Sequence, residues 1–402
     1  MKRKTAVKKT ALVLWGTTDL GPPHFSADIL WRTGFKAPDP VVLVEIPDGK
    51  SFILISPLEL ERAAKECRPE IEAVNLSDYD SKTKGYVANF LQKHGVQKII
   101  VPETFPCGIK DHLAKSFSIV AAPPPFYPKR AIKTDWEVAE IEKAQRAVEN
   151  AVGKALVFLW SCYIKEDKII AYGSPDIYIN CGLVTSESLR KIIDGSLYSQ
   201  GYLGVDTIVS CGLQAADPHC KGFGPLTAHQ PIVMDVFPLS LETHYYADMT
   251  RTFFKGEPPQ ELKDMYNGVL RGQVKGISMV MDGADGKYIY DTTIGDFEKD
   301  GYHTNTETRP MEGFFHGVGY GVGLDIHEAP RINSSGSLLS EGNVVTVGPG
   351  LYYQNGIEPS FLLSKKGIPI GGIRIEDMVL VTKDGCRNLT QFPKDLGSMI
   401  IP

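Results

Sequence analysis

A chain of 402 residues is too long for one compact core of ordinary size, so two domains are expected. With 43% hydrophobic and 23% charged residues and no biased tract, the composition is that of a soluble globular protein. The formal charge of −5 disfavours a nucleic-acid or acidic-membrane partner, since both need concentrated Lys and Arg.

The start, Met1–Thr10, carries Lys2, Arg3, Lys4, Lys8 and Lys9 and reads as a solvated terminus. The apolar stretch Ala11–Trp15 is closed by Gly16 and is too short for the apolar region of a signal peptide. No segment reaches the ~18 apolar residues that cross a bilayer. The seven cysteines are scattered and never form a C-x-x-C pair, which argues against a disulfide framework or a zinc knuckle. Reduced thiols in a cytoplasm fit best.

Val41–Ile46 and Ser51–Ser56 are apolar or β-branched runs joined through Asp48-Gly49, which predicts a hairpin. Leu58–Cys67 and Ser81–Lys93 read as helices, the second closing near Gly95, and Val96–Val101 as a strand. Together these make a small α/β domain over residues 1–128. Its end, Ala121–Pro128, holds four prolines and reads as a linker without regular hydrogen bonding.

A second domain, residues 129–402, opens with Thr134-x-x-Glu137 in the form of a capping box. Val138, Ile141, Ala144, Val148, Val152 and Leu156 then form a helical stripe. From Gly204 onward short strands are punctuated by glycine. Ile232–Val236, Tyr245–Phe253, Val344–Val347 and Ile373–Val381 have strand character, with a loop around Leu239–Thr243. A mainly antiparallel sheet with helices on one face, an α+β arrangement, is predicted.

Three acidic residues sit inside these apolar strands: Asp235, Asp248 and Glu376. A carboxylate in a buried strand is costly unless it is paired or binds a metal. If the strands of Asp235 and Asp248 pair as a hairpin, both carboxylates can share a face. A salt bridge at a strand edge is the alternative for any one of them; three together, with Arg374 beside Glu376, favour a site. His316 and His327 flank the glycine-rich stretch Gly317–Gly323, where glycine lets a backbone or ligand approach closely. His219, in Ala-Ala-Asp-Pro-His, is the third histidine of interest; the other six read as structural.

Taken in order, Ala-Ala-Asp-Pro-His219, Met-Asp235-Val, Asp248-Met-Thr-Arg-Thr-Phe, the His316–Glu328 motif, Val-Thr-Val-x-Pro-Gly-Leu-Tyr and Gly-Ile-Arg-Ile-Glu376-Asp resemble the creatinase/aminopeptidase P/prolidase family. The resemblance spans about Arg130 to the C-terminus, and the first domain fits by architecture alone. It implies a pita-bread catalytic domain, an Xaa-Pro peptidase activity on peptide or small-molecule substrates, a homodimer, and two Mn, Co or Zn ions that activate water. The family's five metal ligands are two Asp, one His and two Glu. Asp235, Asp248 and Glu376 match three of them. Tyr320 stands where the family has its liganding His, and Gly348 where it has a Glu.

The missing pair serve the same ion in the family, so one metal shell is stripped while the three carboxylates could hold one hard cation, Mn, Mg or Ca. The resemblance assigns His219 and His327 to acid–base and carbonyl-stabilising roles and His316 to substrate binding. Arg374 is placed with His316 as a substrate-binding residue; with no ion bound, either it offsets the carboxylate charge or repulsion among the carboxylates raises at least one pKa. Loss of two-metal hydrolysis is expected. A single-metal hydrolase, a metal-free hydrolase in the manner of creatinase, and a protein-binding scaffold are the alternatives.

Overall fold

The computed structural model describes residues 9–20, 24–79, 85–172, 182–307, 309–354 and 371–402. The chain divides into two compact units, Met1–Arg130 and Ala131–Pro402.

In the first unit β1 (Thr10–Gly16), α1 (Ala27–Thr33), β2 (Val41–Glu45), β3 (Ser51–Ile55), α2 (Leu60–Glu66), β4 (Ile71–Asn75), α3 (Gly85–Lys93), β5 (Lys98–Pro102), α4 (Cys107–Leu113) and β6 (Ser118–Ala122) follow one another. The strands form one mixed sheet in the order β4-β3-β2-β1-β5-β6. Strand alternation divides its core in two. Val42 and Val44 pack with Phe90, Leu91 and Leu113 on one face, while Val41 and Leu43 pack with Ile29, Phe35 and Ala63 on the other. Central strands covered on both faces read as continuous apolar runs, which is why they were legible.

The β2–β3 hairpin forms as its Asp48-Gly49 predicts, with Gly49 at φ +86. The predicted helix Ser81–Lys93 is described from Gly85, and its first turn lies outside the described residues. The stretch read as a linker is corrected at its start: Ala121 and Ala122 pair with Val101 and Pro102 as the end of β6. The prolines cannot donate to a ladder, but they begin only at Pro123.

The second unit opens with α5 (Asp135–Trp160). Its capping box is present: Glu137 N donates to Thr134 Oγ1 at 3.3 Å, and Thr134 N donates back to Glu137 Oε2 at 2.7 Å. Next come β7 (Tyr163–Lys165), β8 (Lys168–Ala171), β9 (Gly182–Leu183), α6 (Ser186–Ser199), β10 (Tyr202–Leu203), β11 (Ile208–Cys211), β12 (Ile232–Val236), β13 (Leu239–Ser240) and β14 (Met249–Lys255). Helices α7 (Gln260–Ser278) and α8 (Gly286–Lys299) lead to β15 (Gly319–Gly321), β16 (Glu328–Ile332), β17 (Val344–Val347), β18 (Gly350–Tyr352), β19 (Gly372–Arg374), β20 (Asp377–Thr382), β21 (Gly385–Asn388) and β22 (Ile400–Ile401).

The predicted single sheet is two principal sheets, β11-β12-β14-β22 and β16-β15-β17-β20-β21. They meet through a bridge between Thr250 and Glu376. Three further readings change. The run Tyr245–Phe253 is strand only from Met249, which leaves Asp248 just outside β14. The loop at Leu239–Thr243 contains β13, which pairs with β10. The run Ile373–Val381 is two strands, interrupted at Ile375–Glu376. The residues at this interruption change sheets: β19 pairs with β18, and β20 pairs with β17. Among the described residues no helix is long and apolar enough to cross a membrane.

Candidate active site

The register of β12 against β14 places Asp235 opposite Thr250. Asp248 lies just before β14, two residues ahead of Thr250, and its carboxylate joins the same cluster. The Thr250–Glu376 bridge brings Glu376 in from the second sheet. The three carboxylates offer oxygens that all lie within 4.8 Å of one another, and all three residues are buried.

The Thr250 hydroxyl stands between two of them, 2.8 Å from Asp235 Oδ1 and 3.0 Å from Glu376 Oε2; its single proton serves one at a time. Arg374 Nη2 donates to Asp235 Oδ2, and its Nε donates to Thr250 Oγ1 at 3.1 Å. The Tyr320 hydroxyl donates to Asp248 Oδ2 at 2.7 Å. Asp248 Oδ1 is buried without a hydrogen-bond partner among the described residues.

Burial and the charges of Glu376 and Asp235 push the Asp248 carboxyl well above its ordinary range, against the opposing pull of Tyr320 and Arg374. Burial and Asp235 raise Glu376 to about 7. Burial and the adjacent Asp248 hold the Tyr320 phenol well above its usual value, so it is a neutral donor. Burial opposes the charge on Arg374, but Asp235, Tyr352 and Glu376 outweigh it and keep the guanidinium charged.

The glycine-rich stretch explains how Tyr320 arrives. A Cβ on Gly319 would sit 1.9 Å from the Thr346 carbonyl, and one on Gly321 would sit 2.2 Å from that of Ala329. Only glycine permits these backbone approaches, and the residue between them faces the other way, towards Asp248.

A cavity of about 500 Å³ opens beside the cluster. His219, Asp235, His316, Tyr320, His327, Gly348, Arg374 and Glu376 all line it, so of the site residues singled out in the sequence Asp248 alone is not at its wall; it joins the cluster through its contact with Tyr320. Ile208, Phe237, Met311, Phe315 and Ile326 supply the apolar part of the wall. His219 and His327 are exposed at the rim.

His316 is held from both sides. Its Nδ1 lies 2.7 Å from the Gly317 carbonyl and its Nε2 lies 2.9 Å from the Tyr352 hydroxyl. Burial and Arg374 lower its pKa to about 4, so the ring is neutral. With Nδ1 donating to the carbonyl, Nε2 accepts from Tyr352, whose oxygen in turn accepts from Arg374 Nη1 at 3.3 Å. Desolvation and the Arg331 guanidinium lower His327.

Sequence reasoning missed Thr250, Tyr352 and Arg331. Arg331 lines the cavity, donates to the His327 carbonyl at 3.1 Å and lies 6.0 Å over the Tyr320 ring. Thr250 was accessible in principle: it lies in the motif Asp248-Met-Thr-Arg-Thr-Phe, on the strand whose register sets it opposite Asp235. Tyr352 ends the motif Val-Thr-Val-x-Pro-Gly-Leu-Tyr, but its role depends on partners 36 and 22 residues away.

Fold and site together define an α+β protein of pita-bread architecture with an acidic centre. The chain belongs to metallopeptidase family M24, whose profile matches residues 139–383, more than half of its length. It is 27% identical over 354 residues to an Xaa-Pro dipeptidase of Pyrococcus horikoshii, covering 87% of this chain and 86% of that one. It is 26% identical over 402 residues to an uncharacterized peptidase of Staphylococcus epidermidis, covering 98% of each. Among solved structures, an Xaa-Pro dipeptidase from Bacillus anthracis superposes with TM-score 0.77 at 24% identity, covering 98% of this chain and 95% of that one. The prolidase from Pyrococcus horikoshii superposes with TM-score 0.74 at 23% identity, covering 96% and 95%. These structural likenesses speak for the fold.

Proposed function

We propose that this chain is an M24 member that binds short peptides or related small molecules in its cavity and does not hydrolyse them with a pair of metal ions. The reading rests on what fills the two places where the family has a liganding His and Glu. At the first, the Tyr320 hydroxyl donates a hydrogen bond to Asp248. At the second, a Cβ on Gly348 would sit 2.4 Å from Glu376 Cδ, so the Glu376 carboxyl group occupies that space.

The residues present therefore do not fit a pair of ions. When bound, such a pair supplies Lewis acidity and an activated water. A neutral phenol is a weak ligand beside imidazole, and glycine offers none. The chain's own groups still suit binding. Arg374 fixes Asp235, the Gly317–His316–Tyr352–Arg374 chain braces the cavity floor, and His219 and His327 stand at the rim within reach of a ligand's carbonyl groups. Arg331 adds a positive charge to the wall.

A single divalent cation held by Asp235, Asp248 and Glu376 is the second reading, favoured by the unpartnered Asp248 Oδ1. An all-oxygen set would select Mn, Mg or Ca. Elemental analysis after dialysis against Mn, with an Ala-Pro cleavage assay on the same sample, separates the readings. No retained metal and no cleavage above background are expected. One ion per chain would substitute the second reading, and two ions with Mn-dependent cleavage would overturn the proposal.

A further inference from the structure

We propose that Tyr320 is a positioning residue: its ring braces His327 and Arg331 in the orientations in which they line the cavity. The effect on ligand affinity rests on the peptide-binding reading above, while the brace itself stands on contacts within the chain.

Tyr320 is fixed by groups that involve neither partner. Its backbone runs between the close approaches of Gly319 to the Thr346 carbonyl and of Gly321 to that of Ala329. Its N–H donates to Thr346 Oγ1 at 3.3 Å, and its hydroxyl donates to Asp248 Oδ2 at 2.7 Å. A side chain tied both at the backbone and at the tip keeps one rotamer.

His327 is the opposite case. It is exposed at the rim, and among the described residues its ring nitrogens take no hydrogen bond. Tyr320 is the one aromatic ring against it among those residues: the centroids lie 4.2 Å apart with the planes at 85°, an edge-to-face contact. Arg331 meets the same ring from the neighbouring strand. The β15–β16 register sets it directly across from Tyr320, and its guanidinium carbon lies 6.0 Å over the phenol. Arg331 Nη2 also donates to the His327 carbonyl at 3.1 Å, so the three residues form one unit.

All three line the cavity. A rim histidine and a long arginine left in water would sample several rotamers, and a ligand would have to order them on binding. Braced on a ring that cannot turn, they are already placed. A leucine at position 320 would fill apolar space but offer no aromatic ring to either partner.

NMR of the full chain in chelator, isotope-labelled in histidine, tests this without any ligand. The His327 imidazole signal is assigned by its absence from His327→Gln. Tyr320→Phe, which keeps the ring, is expected to leave that signal in place, and Tyr320→Leu to move it to the position of an exposed imidazole. Isothermal titration with Ala-Pro should then show a loss of about tenfold for Tyr320→Leu and of no more than about threefold for Tyr320→Phe, since only the first leaves two side chains to be ordered. Thermal unfolding checks that each variant is folded, and Tyr320→Met replaces Tyr320→Leu if the latter is not. A His327 signal that stays in place in the ring-free variant would overturn the inference. So would an equal loss of affinity in Tyr320→Phe and Tyr320→Leu, which would assign the effect to the hydroxyl. A wild-type chain that binds no Ala-Pro would sink the peptide reading alone, and the His327 signal would still decide whether the brace exists.

Discussion

Glu376 and Asp377 are neighbours in sequence and both are buried, yet their surroundings push them in opposite directions. Glu376 turns towards the cavity, where burial and Asp235 raise it to about 7. Asp377 turns the other way. There Arg251 Nη2 donates to it at 2.7 Å, Lys394 Nζ at 2.6 Å and Asn388 Nδ2 at 2.9 Å. Burial works against its charge, but Arg251 and Lys394 outweigh that and hold its pKa below the usual range. Arg251 in turn spends its remaining donors on the carbonyls of Thr250, Glu376, Phe392 and Pro393. One side of the strand is a closed, satisfied network, and the other keeps an unsatisfied acceptor beside a cavity. The difference teaches where a ligand belongs: buried charge without full partners is costly to the fold alone and marks the side that something else completes.

The sharpest way to break this comparison is on the satisfied side. Arg251→Met strips the guanidinium from Asp377 and from four carbonyls, and should lower stability by about 3–5 kcal/mol, read by urea unfolding. A loss below about 1 kcal/mol would mean that Lys394 and Asn388 suffice for Asp377. A smaller effect of opposite character is expected on the cavity side. Because Glu376 is raised from its ordinary 4.5 to about 7, the folded chain holds a proton that the unfolded chain has released between those values. Stability should therefore fall as pH rises from about 5 to 7, by roughly 1 kcal/mol per pH unit, measured by urea unfolding in chelator. Glu376→Gln should flatten that slope, and an unchanged slope would place the titration elsewhere. The smallest change should come from Tyr352→Phe, which cuts the link between His316 and Arg374. About 1 kcal/mol is expected from the lost hydrogen bonds, and no measurable loss would show that the brace is redundant.

Much of the architecture could be read from the sequence because its signals are local. Apolar runs marked β2, β3, β12 and β17, and the Thr134–Glu137 capping box marked the start of α5. The acidic triad was legible for a related reason: charges inside apolar runs stand out, although only Asp235 lies within a strand, Asp248 just before β14 and Glu376 between β19 and β20. What was hidden depends on distant partners. Ile373–Val381 looked like one strand, since nothing in its composition says that β19 answers to β18 and β20 to β17. The engagement of both His316 nitrogens, and the place of Arg331 in the cavity wall, follow from tertiary contacts that no motif spacing encodes.

The crowding at Gly348 also ties that position to the placement of Glu376. Because the Glu376 carboxyl group fills the space beside that glycine, even a methyl group there collides before it can contribute anything. Glu376 would first have to swing away and give up its contact with Thr250. A larger residue at position 348 is thus accommodated only as the flexible Glu376 side chain shifts. Position 348 and Glu376 are therefore coupled, so that the size of the residue at one sets the placement of the carboxyl group at the other.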